Sequence, residues 1–205
     1  MTRDGTLAII DSGGANISSV VHALRRLGQE PVFTADAATI RAASRVILPG
    51  VGAAGAAMTH LQAQGLVSTI RGLRQPVLGI CLGMQLLFEH TGEDDVECLG
   101  IIPGRIERMP GAPGVRIPHM GWNTTEKLVD DALLHGLPER PWFYFVHSYH
   151  AAVDHSTLAS CRHGLRFAAI VRKDNFYGVQ FHPERSARHG ARLLANFLGL
   201  DPGRS

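Results

Sequence analysis

Cysteine is scarce: the chain carries 3 in 205 residues, an odd number and with no CxxC pair. A disulfide framework and a Cys-rich zinc site are therefore not expected, and a reducing compartment fits. Long apolar runs are absent too, and none approaches the roughly 18 residues of a membrane-spanning helix. The opening MTRDGTLAIIDSGG holds only a short apolar stretch, Leu7 to Ile10, before it turns polar. A signal peptide needs a longer apolar core, so a soluble cytoplasmic protein is expected. No Lys/Arg block occurs, and 20 basic against 18 acidic residues leave a net charge of +2 with His neutral. Nucleic acid and membrane are thus not expected partners. Repeats, linkers and low-complexity stretches are missing as well. What remains is 45% hydrophobic and 19% charged, which reads as a globular chain of one domain, 1–205.

The first half alternates short apolar runs with helical patterns. LAII (7–10), PVFTA (31–35), RVILPG (45–50) and PVLGI (76–80) read as strands. Residues 17–28, 36–43, 54–73 and 84–90 read as helical, with Asp36 as an N-cap and Gly28 as a C-cap. Continuous apolar strands separated by helices predict a mostly parallel central sheet with helices on both faces, an α/β fold. The second half is a series of closely spaced strands: GIIPGRIERM, WFYFVHSYHAAV, STLASC, FAAIVRK and NFYGVQF, with a hairpin turn at Asp174-Asn175. These predict additional antiparallel strands, either extending the sheet or forming a side layer. A last helix is expected over 186–198, with Leu193, Leu194, Phe197 and Leu198 facing inward.

Gly79-Ile80-Cys81-Leu82-Gly83 has the pattern of a nucleophile elbow. A buried strand runs straight into a helix, and glycines at −2 and +2 relieve clashes around a strained junction. A helix N-terminus behind the sulfur favours thiolate. The bland alternative is a structural Cys packed between glycines, which is how Cys98 and Cys161 read. A nucleophilic Cys needs a base and a group to orient it. Phe181-His182-Pro183-Glu184 closes an apolar strand, and Glu184 can turn back to fix the imidazole tautomer. Cys81 and His182 both follow strands, so the carboxyl edge of a doubly wound sheet can bring them together. Leu48-Pro49-Gly50-Val51-Gly52 also follows a strand. Its glycines permit unusual peptide orientations, so it can supply one oxyanion N–H near Val51, with Leu82 supplying another. No Gly-Lys-Ser/Thr follows it, so it does not read as a phosphate loop. His147, His150 and His155 lack the spacing of a metal site, and alternation puts His147 and His150 on opposite faces of one strand. No metal and no cofactor is expected.

Taken together, GICLGMQ around Cys81, FHPE with His182 and Glu184, and the PGVG loop resemble the class I (triad) glutamine amidotransferases. DSGGANISSV (11–20), HMGWN (119–123), FYFVHSYH (143–150) and GVQFHPERS (178–186) narrow the resemblance to the glutaminase subunits of imidazole glycerol phosphate synthase. It covers about residues 7–198.

That resemblance implies a three-layer, flavodoxin-like fold and a hydrolase acting on L-glutamine. Cys81 would form a cysteinyl-thioester, with His182 moving protons and Glu184 orienting it. Gly50, Gly52, Gln85, Glu93 and the His147-Ser148-Tyr149 strand would hold the substrate. It also implies a heterodimer in histidine biosynthesis, in which ammonia is channelled to a (β/α)8-barrel synthase with lyase activity. That partner makes imidazole glycerol phosphate and aminoimidazole carboxamide ribotide. Its expected contacts are Asn16, Met120, Trp122, Asn123, Tyr144 and Arg185. An exposed Trp122 would anchor such an interface, and a core Trp is the competing reading. Two positions depart from the family pattern: Ser12, where many members have Tyr, and Arg185, where many have Lys. Three other readings remain: a glutaminase serving another synthase, such as that of pyridoxal phosphate; a cysteine hydrolase of peptides; and a catalytically silent binding module. The HMGWN and FVHSYH strings, FHPE, and the intact triad argue against them in turn.

Overall fold

The computed structural model describes residues 5–14 and 17–201. In chain order the first half contains β1 (Leu7–Ile10), α1 (Ser18–Arg26), β2 (Val32–Thr34), α2 (Ala37–Ala42), β3 (Arg45–Leu48), α3 (Ala54–Ala63), α4 (Leu66–Arg71), β4 (Val77–Ile80) and α5 (Leu82–Gln85). Then come β5 (Phe88–Thr91), β6 (Val96–Glu97), β7 (Ile102–Arg108), β8 (His119–Lys127), β9 (Trp142–His147), β10 (Tyr149–Ala151), β11 (Thr157–His163), β12 (Leu165–Lys173), β13 (Phe176–Val179) and α6 (Ala187–Gly199).

A nine-stranded sheet runs in the order β2-β1-β3-β4-β13-β12-β11-β8-β9. It is parallel from β2 to β13 and antiparallel from there to β9. The sheet is thus evenly mixed rather than mostly parallel. A smaller four-stranded sheet, β10-β7-β5-β6, forms the side layer. Both outcomes expected of the second-half strands occur: β8, β9 and β11–β13 extend the main sheet, while β5–β7 and β10 leave it.

Period-2 alternation builds the layers. Leu7, Ile9, Ile47, Leu78 and Ile80 face one core with Val20 and Leu24 of α1 and with Leu193, Leu194 and Phe197 of α6. Ala8, Ile10, Val46, Leu48 and Val77 face the other core with Ile40, Met58, Leu61, Ile70, Phe88 and Ile106. Each fully buried Leu or Ile contributes roughly 1.5–3 kcal/mol relative to exposure. Strands apolar on both faces are the ones that must sit mid-sheet, as β1, β3, β4 and β13 do, whereas the exposed β2 takes the edge.

Local signals appear where the sequence placed them. Asp36 accepts the Thr39 N–H at 2.7 Å as the N-cap of α2. Gly28 takes the left-handed φ of +77° that ends α1. Asp174 and Asn175 make the two-residue turn between paired Lys173 and Phe176. Two further expectations fail, and a third holds in part. The run 84–90 is not a helix: α5 is a single turn ending at Gln85, and Phe88 pairs with Ile102 in β5. Leu86, Leu87 and Phe88 are all buried, so the run lacks the one-sided stripe of a surface helix. His147 and His150 do not share a strand, because the chain leaves the main sheet at Ser148 and joins the small one. Leu198 is only partly buried against the core that holds Leu193, Leu194 and Phe197. HMGWN, which gave no strand signal through its Gly and Asn, opens β8.

Candidate active site

Three adjacent parallel strands, β3, β4 and β13, deliver the chemistry at their carboxyl ends, the edge at which open α/β sheets place ligands. Cys81 follows β4 at φ 52°, ψ −109°, a conformation that costs on the order of 1–3 kcal/mol for a non-glycine residue. Its N–H donates to the Val179 carbonyl of β13 at 2.8 Å. The flanking glycines are required by close approach. A Cβ on Gly79 would lie 2.6 Å from the Gly83 carbonyl oxygen, and one on Gly83 would meet the Leu48 carbonyl. The helix behind the sulfur is one turn long, so its dipole is weaker than the sequence pattern suggested.

His182 follows β13 and donates its backbone N–H to the Tyr144 carbonyl at 2.9 Å. Its Nδ1 lies 2.9 Å from Glu184 Oε1, and both side chains are largely buried. Burial pulls the imidazole down, but hydrogen bonds and charge from Cys81 and Glu184 outweigh it and hold His182 up at about 10. The sulfur and the carboxylate thus both favour the protonated ring. The turn Pro183–Arg185 is pinned by Ser186, whose Oγ donates to the His182 carbonyl at 2.6 Å and accepts the Tyr144 N–H at 2.9 Å. Cys98 and Cys161 are buried free thiols pushed up to about 11 and about 12 by burial. They have none of this setting.

A cavity of ≈ 360 Å³ opens beside Cys81 and His182, at the small end of ligand sites and suited to one amino acid. Gly50, Val51, Gly52, Leu82, Gln85, Glu93, His147, Ser148 and Tyr149 line it, as do Val146 and Pro118, which gave no signal in the sequence. Glu93 accepts the Ala54 N–H at 3.0 Å, at the start of α3. Burial raises its carboxyl above the ordinary range, against the Ala54 hydrogen bond and with help from Asp94. A larger cavity of ≈ 480 Å³ borders Pro76 and Asn175, at the opposite end of β4 and β13, away from the thiol.

The sequence pattern assigns no role to Gln180, yet the structure places it at the thiol. It is fully buried, accepts from Gln85 Nε2 at 3.0 Å and points its own Nε2 at Cys81 Sγ, 3.9 Å away. A polar residue inside the apolar run GVQF was the available signal. The two loop glycines also divide their roles. Gly52 has φ +98° with open space around it, whereas a Cβ on Gly50 would lie 2.6 Å from Leu82 Cβ. Gly52 thus supplies conformational freedom, and Gly50 supplies contact with the elbow.

The residues expected at a partner face divide as well. Met120 and Trp122 are 63% and 49% exposed, which removes the core reading of Trp122. Tyr144 meets Trp122 edge-on at 5.9 Å, and Arg185 is exposed. Asn123 turns its amide inward, to His119 Nε2 at 3.2 Å and the Arg162 carbonyl at 3.0 Å. Asn16 lies outside the described residues.

Residues 8–199 match the family model for glutamine amidotransferase class-I. The chain is 58% identical over 194 residues to imidazole glycerol phosphate synthase subunit HisH of Xanthomonas axonopodis pv. citri, covering 95% of this chain and 97% of that protein. It is 53% identical over 195 residues to the protein of the same name from Xylella fastidiosa, covering 95% and 98%. In fold it resembles a crystal structure of a glutamine amidotransferase (TM-score 0.73, 21% identity, 95% and 98% covered). It also resembles a putative GMP synthase protein from Thermoplasma acidophilum (TM-score 0.68, 18% identity, 96% and 94% covered). With nearly the whole chain matched, the protein belongs to the class-I glutamine amidotransferase family, on the branch of the imidazole glycerol phosphate synthase HisH subunits.

Proposed function

We propose that this chain is the glutaminase subunit of an imidazole glycerol phosphate synthase, working as one cytoplasmic domain beside a (β/α)8-barrel synthase in a heterodimer. The observation that carries the reading is the buried Cys81–His182–Glu184 constellation at the mouth of the 360 Å³ cavity. Near-full-length relatives named as synthase subunits support the partner. So does the exposed Met120 and Trp122 pair.

Cys81 Sγ attacks the carboxamide carbon of glutamine, and peptide N–H groups near Val51 and Leu82 hold the oxyanion. His182 gives its proton to the departing nitrogen, leaving ammonia and a thioester. The ring, now neutral, takes a proton from water. The resulting hydroxide attacks the thioester, releasing glutamate and returning the sulfur and the imidazole to their starting states. Glu184 keeps the Nδ1 proton in place throughout. The ammonia passes to the barrel rather than to solvent.

The test is glutamate release by the chain alone, then with the barrel synthase and its nucleotide ligand. Low basal turnover with strong stimulation, abolished in Cys81→Ala, supports the reading. High turnover indifferent to the barrel would keep the triad and overturn the partner.

A further inference from the structure

Behind the pocket, on the core side of the antiparallel strands, two histidines that the triad does not use, His119 and His147, pack with Phe145 and Phe167, and His163 stacks on His119. His119 opens β8, His147 closes β9, and the two face each other across the ladder. His147 Nδ1 lies 2.7 Å from the Tyr149 carbonyl oxygen, and His119 Nδ1 lies 2.9 Å from His147 Nε2. A carbonyl only accepts, so His147 carries its proton on Nδ1 and offers a lone pair at Nε2. His119 must then donate from Nδ1, which leaves its Nε2 to accept from Asn123 Nδ2 at 3.2 Å. The second amide hydrogen of Asn123 goes to the Arg162 carbonyl at 3.0 Å. All four ring nitrogens are paired, and one tautomer set satisfies the chain. Burial keeps both rings uncharged, His119 down at about 3 and His147 at about 4. The His119 ring is stacked between Phe145 at 4.7 Å and His163 at 4.1 Å, so it has little freedom to turn.

The pocket end of this chain is a peptide that needs fixing. Ser148 is where the backbone leaves one sheet for the other. Its carbonyl is held by the Met109 N–H at 2.9 Å, and the Tyr149 carbonyl also accepts from Gln85 Nε2 at 3.2 Å. His147, Ser148 and Tyr149 together form one wall of the cavity. The other end is Asn123, next to the exposed Trp122 on β8.

We propose that His119 is a positioning residue for the substrate pocket: through His147, the Asn123–His119–His147 chain holds the His147-Ser148-Tyr149 wall where it meets the bound amino acid. This rests on the reading of the cavity as the glutamine site. A wall that touches the substrate throughout the reaction contributes binding that is equal in ground and transition states, so its loosening appears in KM rather than kcat.

The experiment is steady-state glutaminase kinetics in the complex with the barrel synthase and its nucleotide ligand. His119→Phe keeps a flat ring in the stack and deletes both hydrogen bonds. His119→Asn returns a donor at the Nδ1 position. Losing a buried hydrogen bond predicts a glutamine KM raised roughly 10-fold in His119→Phe, with kcat within about 3-fold, and KM largely restored in His119→Asn. An unchanged KM in a folded His119→Phe, a fall in kcat alone, or no rescue by Asn overturns the proposal. Should His119→Phe fail to fold, Asn123→Ala breaks the chain at its outer end. A raised KM there supports the proposal, and an unchanged one overturns it. Wild-type complex without glutaminase activity would instead remove the glutamine reading beneath it.

Discussion

Ser12 Oγ donates to the Pro49 carbonyl at 2.9 Å, fastening the turn after β1 to the loop that carries Gly50, Val51 and Gly52. Ser12 is one of the two positions at which this chain departs from the family pattern, and it is 5% exposed. A small hydroxyl here braces the candidate oxyanion loop from behind. Ser12→Ala leaves a buried carbonyl short of a donor and should cost about 1 kcal/mol of stability. It should also change the ratio of stimulated to basal glutaminase turnover. Urea midpoints and paired assays check both parts; a stability loss with an unaltered ratio would confine Ser12 to a structural role.

Gly50 and Gly52 should answer differently to the same change. Alanine at Gly50 meets Leu82 in the elbow, so it should displace Cys81 and depress turnover with or without the barrel. Alanine at Gly52 has room but sits at φ +98°, a strain of on the order of 1 kcal/mol or more. It should leave folding largely intact and alter the response to the barrel. Thermal melts alongside glutamate release distinguish the two. Equal behaviour of both variants would contradict this division of roles.

Glu184→Gln removes the charge that helps hold His182 at about 10. The imidazole should then titrate lower, and the alkaline limb of the kcat/KM profile should move down in pH. The rate should fall roughly 10²–10⁴-fold, as for losing proper general acid–base function. Cys81→Ala should abolish turnover. Modification by a glutamine-like alkylating agent should fall on Cys81 and spare Cys98 and Cys161, both deeply buried.

Stability should respond to pH in two opposite ways. Burial holds His119 and His147 at about 3 and about 4, below the ordinary 6.5. The unfolded chain then takes up protons first, so stability is complete above that ordinary value and falls as the medium is acidified. The slope reaches about 1.4 kcal/mol per pH unit for each ring. His182 is raised from 6.5 to about 10. Its contribution is complete below the ordinary value and is lost as pH rises through the raised one. Denaturation midpoints across the range should show both limbs. His119→Phe should flatten the acid limb, and Glu184→Gln should shrink the alkaline one; an acid limb untouched by His119→Phe would argue against a neutral buried ring.

What is legible in the sequence is what depends on short spans. The elbow at Cys81, the Asp36 cap, the turn at Asp174 and the pairing of His182 with Glu184 each lie within a few residues and carry their own local chemistry. What is not legible depends on distant partners. His119 looks like a lone histidine until a ladder pairs β8 with β9 and sets it against His147. Gln180 looks like a misplaced polar residue until Gln85 arrives across the sheet. Residues 88–91 form a strand because Ile102 and its neighbours offer an edge, and nothing inside the run announces it. The expected partner contacts rest only on the resemblance, and the inward hydrogen bonds of Asn123 could not be read from the string HMGWN.

The pairing of β4 with β13 has a consequence for how the protein is born. Cys81 leaves the ribosome early, on a strand whose free edge waits for Phe176–Val179 to be made. Until that late strand inserts between β4 and β12, the nascent chain holds Cys81 without His182 beside it. Non-local pairing of this kind slows folding, and here it also orders events: Cys81 and His182 can meet only after β13 has been made. The same arrangement makes the last quarter of the polypeptide a natural checkpoint. A product truncated before that point would leave the edge of β4 unpaired and prone to aggregate.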